Sequence, residues 1–77
     1  MTNSKGSEGI PVPHLRAWRK WLGLTQRAVA ELADVDRMTI MHLERGARAR
    51  MFVLRKIAES RLGVSLDELL HYPPEED

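Results

Sequence analysis

The sequence predicts an all-α domain of five short helices, on three observations. No stretch alternates apolar and polar positions over four or more residues with β-branched side chains, so strand signals are absent. Apolar residues recur instead at spacings of three and four through the middle of the chain, the period of helices with one buried face. Glycines and capping residues then cut that pattern into short pieces, with stops at Gly23, Gly46 and Gly63. At 77 residues the chain can hold one hydrophobic core, since independent domains need roughly 50–200 residues.

Met1 to Gly9 holds two Ser, two Gly, a Thr and an Asn, with no apolar residue after Met1. Such a segment cannot bury enough surface to order itself, so residues 1–11 are expected to be a disordered tail. Pro11 and Pro13 stiffen the approach to the first helix. That helix, about His14 to Leu22, puts Leu15, Trp18, Arg19 and Leu22 on one face, while Trp21 lies off it and should be partly exposed. Thr25 can cap a second helix with Val29, Leu32 and Ala33 inward, and Asp36 a third with Ile40 and Leu43 inward. A fourth runs from about Met51 toward Arg61, with Leu54, Ile57 and Ala58 inside. It should end or bulge near Ser60, letting Arg61 swing outward. Ser65 to Glu68 reads as a capping box that opens a fifth helix carrying Leu69 and Leu70. Pro73 and Pro74 stop it, and residues 73–77 are expected to be an acidic tail, leaving 12–72 as the folded domain.

Composition removes several classes. The chain has no cysteine, hence no disulfide framework, thiol nucleophile or cysteine zinc site. Its longest apolar runs are a few residues, far short of the ~18 of a membrane span, and the polar start is no secretory signal. These features predict a cytoplasmic protein without membrane association. His14, His42 and His71 have no partner at metal-ligand spacing, so neither metal nor cofactor is expected. No paired carboxylates, Ser–His–Asp set or phosphate-cradling glycine loop appears, so the chain reads as a non-enzyme with no catalytic residue. The formal charge of +1 hides an asymmetry: from Asp36 to Lys56 six basic residues face two acidic ones. A local excess of this kind is an electrostatic footprint for phosphate.

The join between helices two and three narrows the reading. In QRAVAELADVDRMTIMHLER, residues 26–45, two helices meet across a three- or four-residue turn and must cross steeply, at about 90–120°. Close approach needs a small residue, supplied by Ala30, and a shared apolar seam of Val29, Ala33, Val35, Ile40 and Leu43. With LRAWRKWLGLTQ before it, IMHLERG ending at Gly46 and LGVSLDELL after it, the chain from Leu15 to Leu70 resembles the phage-repressor/Cro-type (XRE-type) helix-turn-helix family.

The resemblance implies a five-helix, lambda-repressor-like domain whose third helix, about residues 37–45, lies in the major groove of double-stranded DNA. Carried over position by position, Arg37, Met38 and His42 become base-contacting residues. Gln26, Thr39, Arg45, Arg48 and Arg50 become phosphate-contacting, with Gln26 also bracing the start of the recognition helix. Arg19 and Glu44 match a structural ion pair between the first and third helices. The chain departs from the family at the turn, where Asp34 replaces the usual glycine, and in the following loop, where Arg50 replaces a frequent proline. The helix pattern LRKIAE also runs one residue early. The function implied is a nucleoid-associated transcriptional regulator, a repressor by preference, binding as a homodimer at least on DNA. Its dimer contact is expected through helix five and Leu69–Tyr72. The alternative is a protein-interaction module such as an antitoxin, with Trp21, Leu69, Leu70 and Tyr72 facing a protein partner.

Overall fold

A computed structural model of the chain describes residues 9–74. The tail expected over residues 1–8 and the acidic residues 75–77 lie outside the described residues. Five helices follow one another: α1 (Leu15–Trp21), α2 (Gln26–Ala33), α3 (Arg37–Glu44), α4 (Met51–Ala58) and α5 (Leu66–His71). Two short strands join them, β1 (Ile10–Pro11) before α1 and β2 (Arg48–Ala49) between α3 and α4. They pair antiparallel, Ile10 opposite Ala49 and Pro11 opposite Arg48. Two-residue strands are too short to leave an alternation in the sequence, which is why none was expected there. The pairing also corrects the N-terminal boundary, because Ile10 and Pro11 are held in a sheet and are not tail.

The core is one cluster to which every helix contributes: Leu15, Val29, Ile40, Leu54, Ile57 and Leu69 are each under 2% exposed. Two expected core residues are not in it. Leu32 is 39% exposed, because the small residues Ala30 and Ala33 flank Val29 on the side of α2 that meets α3. Ala58 is also exposed, as the last residue of α4 with no further turn to carry it inward. Val53 takes its place at 8% exposure.

Local chemistry sets the boundaries. The Thr25 hydroxyl accepts from the Ala28 amide at 3.0 Å and opens α2. Asp36 occupies the corresponding place before α3 with extended backbone, but its side chain makes no capping bond. Ser60 Oγ donates to Ile57 O at 2.7 Å and accepts from Leu62 N at 3.2 Å, so α4 stops early and Arg61 is exposed. At α5 both halves of the capping box form: Glu68 N to Ser65 Oγ at 3.1 Å and Ser65 N to Glu68 Oε1 at 3.0 Å. The chain then returns to α1, where Trp18 Nε1 donates to Tyr72 O at 2.8 Å. Pro74 is buried, so the folded part runs two residues past the expected boundary at Tyr72.

Candidate nucleic-acid interface

α2 and α3 pack closely across the turn Asp34–Asp36, with Ala30 3% exposed at their contact. The turn is tight because Asp34 adopts the left-handed conformation, φ 59° and ψ 47°. Asp is among the few residues that enter this region without a large penalty. Val35 N reaches back to Ala30 O at 2.9 Å, closing the end of α2. Lys56 on α4 donates to Asp34 O at 3.1 Å, and its ammonium lies 3.6 Å from Asp34 Oδ2. Sequence reasoning missed this strap, since nothing in the spacing of Asp34 and Lys56 signals it.

Burial of Ile40 and Leu43 turns the opposite face of α3 outward. Arg37, Met38 and His42 are exposed, while Thr39 and Met41 are half-buried at the edges of that surface. A groove of about 240 Å³ separates α3 from the following loop. Thr39, His42, Arg48 and Arg50 line it above the buried Ala49 and Val53. Arg48 and Arg50 thus share the groove with the exposed His42 and with Thr39 at the edge of the α3 face.

A second cleft, of about 260 Å³, opens on another side of the last turns of α3, lined by Arg16, Arg19, Gln26, Met41, Glu44 and Arg45. At its base Arg19 Nε donates to Glu44 Oε2 at 2.6 Å and a second guanidinium nitrogen donates to Glu44 Oε1 at 3.0 Å. The same guanidinium donates to Leu24 O at 3.0 Å, fixing the α1–α2 connection. Gln26 Nε2 donates to Glu44 Oε1 at 3.0 Å. Gln26 therefore braces the end of α3, not its start, because Glu44 is the acceptor within its reach. Burial pushes the Glu44 carboxyl up, but the hydrogen bonds from Arg19 and Gln26, with the charges of Arg19 and Arg16, outweigh it. The carboxyl is held below its ordinary range and stays ionised. Arg16 was missed in the sequence, although its place three residues before Arg19 puts both on one side of α1.

Arg16, Arg37, Arg45, Arg48 and Arg50 are all exposed, so the α3 surface is flanked by guanidinium groups at both ends. On the α1–α5 side, Trp21 and Tyr72 are each 57% exposed, and Trp21 meets Trp18 edge-on at 5.5 Å. Leu69 is fully buried and cannot belong to a partner surface there, and Leu70 is half-buried. Burial on both counts follows from α5 packing against α1 and α4. Among the described residues no group of three His, Cys, Asp or Glu is placed to hold a metal ion. Among the described residues no helix is long and apolar enough to cross a membrane.

A family model described as Helix-turn-helix matches residues 15–69. No curated protein and no solved structure matches the chain.

Proposed function

The chain belongs to the Cro/repressor-type (XRE-type) helix-turn-helix family of DNA-binding transcriptional regulators, and from that premise we propose a sequence-specific repressor that lays α3 in the major groove. The observation that carries this reading is the split of α3, with Ile40 and Leu43 buried and Arg37, Met38 and His42 exposed between flanking arginines. The groove, about 12 Å wide, admits one helix presented in this way.

In this reading Arg37 is the principal base reader, because a guanidinium can donate two bonds to guanine O6 and N7. His42 donates to or accepts from a base edge one turn on, and Met38 touches a thymine methyl or a sugar. Arg45, Arg48 and Arg50 neutralise phosphates on either side, with Thr39 and Gln26 adding neutral contacts. Two copies read an inverted repeat with half-sites about 34 Å apart, as two-fold symmetric domains of this kind require. The site of action is the nucleoid, within the cytoplasm.

Selection of binding sites from a random duplex pool at about 150 mM salt tests the reading, because purely charge-driven binding fades there. An enriched inverted repeat supports it, and a pool that never enriches overturns it. The exposed Trp21 and Tyr72 favour one second reading, a module such as an antitoxin that holds a protein partner on the α1–α5 side. That reading predicts a stable complex unaffected by Arg37→Ala and lost in Trp21→Ala.

A further inference from the structure

We propose that β1 is the positioning element for the phosphate-contacting loop, and that Gly9 is the residue on which its seat depends. This inference rests on the reading above in which Arg48 holds a DNA phosphate.

The loop between α3 and α4 carries Arg48 in β2, directly opposite Pro11 of β1. On its inner side the loop is anchored by Ala49, 2% exposed, opposite Ile10. β1 is anchored in turn by Val12, also 2% exposed, whose carbonyl accepts from the Leu15 amide at the start of α1. β1 therefore links the core at α1 to the loop that displays Arg48. Pro11 has no amide N–H to give the ladder, so few bonds hold the two strands and their close approach matters more.

Gly9 controls that approach. Its φ is +92°, a conformation that L side chains rarely adopt. A Cβ added there would lie 2.9 Å from Ala49 O and 3.0 Å from Arg48 Cβ. The first of these atoms is backbone, and Ala49 is fixed by its burial, so it cannot retreat. Any side chain at position 9 must lift β1 from β2 or displace Arg48. Gly9 offers no charge and no side chain to DNA, so its whole effect on binding must pass through the residue it seats.

The test compares wild type, Gly9→Ala, Arg48→Ala and the double variant on the selected duplex and on random duplex across a salt series. Gly9→Ala is expected to weaken both duplexes alike and to flatten the salt dependence by about one unit, the signature of one lost phosphate contact. Base preference should not change. In the Arg48→Ala background the Gly9→Ala change should cost less than about twofold, because the contact it acts through is already gone. Amide exchange at Ala49 should quicken in Gly9→Ala while the exchange of α1–α5 core amides is kept, which separates loss of the strand from loss of the fold. A Gly9→Ala protein with wild-type salt dependence, or with an equal loss in both backgrounds, overturns the inference alone. A wild type that selects no duplex, or an Arg48→Ala protein with unchanged salt dependence, overturns the phosphate reading and this inference with it.

Discussion

Arg19 and Glu44, 25 residues apart in the chain, meet in a two-pronged ion pair at 2.6 and 3.0 Å, with side chains only 13% and 4% exposed. The pair fastens α1 to the end of α3, and Gln26 adds a bond from α2, so three helices converge on one carboxylate. Removing one member leaves the other charge buried without its partner. Arg19→Ala should therefore cost about 3 kcal/mol, at the low end for such a loss because Gln26 still holds Glu44. That is most of the ~3–5 kcal/mol available to so small a core. Replacing both residues together by Met and Leu should recover much of the loss, as measured by urea unfolding of the single and double variants. A double variant as unstable as the sum of the singles would show that the pair is not one unit.

The same carboxylate makes stability depend on acid. Its folded-state pKa lies below the ordinary value, so the unfolded chain takes up the proton first as pH falls. The contribution of the pair is whole above about pH 4.3, the ordinary glutamate value, and is lost as pH drops through the lowered one. Glu44→Gln should be less stable than wild type at neutral pH, and the two stability curves should converge as pH falls through the lowered pKa of the carboxyl. Parallel curves would place the acid sensitivity elsewhere.

The helices and the caps at Thr25 and Ser65–Glu68 were legible because each rests on short-range rules, periodicity and capping chemistry, with glycine stops between. The Arg19–Glu44 pair, 25 residues apart, was expected only from the family resemblance. What was not legible depends on which neighbour happens to cover a face. Leu32 and Val29 look equally inward on an isolated helix, and only the crossing of α3 over Ala30 and Ala33 decides between them. Pairing of Ile10 with Ala49 and the Lys56 strap to Asp34 are likewise invisible, since they join segments 39 and 22 residues apart with no periodic signal. Of the interface, the outward residues of α3 could be read from the burial of Ile40 and Leu43. The partner of Gln26 could not, because its reach to the end of α3 depends on the crossing angle.

The two disagreements over the core give a direct comparison. Val53→Ala removes two buried methyl groups beside Leu43 and Ala49 and should cost about 1–3 kcal/mol. Leu32→Ala, at a position 39% exposed, should cost under about 1 kcal/mol. Thermal melts of both variants decide the matter, and the reverse order would mean that α2 sits rotated from the position described.

Asp34 poses a local conflict between conformation and charge. Its left-handed backbone favours glycine, whereas its carboxylate faces Lys56 across 3.6 Å. The carboxylate is 93% exposed and the ammonium 42%, so the pair adds little in water, and the Lys56 bond to the Asp34 carbonyl survives any substitution. Asp34→Gly should thus raise stability by about 0.5–1 kcal/mol, and Asp34→Val should lower it by at least that much. Destabilisation by both changes would show that the carboxylate matters more than the backbone does.

Arg37 and Arg48 should separate reading from holding. Arg37 projects from the first turn of α3, where a guanidinium can meet a base edge, whereas Arg48 sits in β2 and lines the groove between α3 and the following loop. Arg37→Ala should weaken binding to the selected duplex by about 1–3 kcal/mol, barely change binding to random duplex, and relax preference at one base position. Arg48→Ala should weaken both duplexes by the same factor and flatten the salt dependence by about one unit. Binding titrations of the two variants on both duplexes, repeated at three salt concentrations, give all of these quantities. Identical behaviour of the two variants would mean that α3 does not read bases through its first turn, and that the exposed arginines supply charge alone.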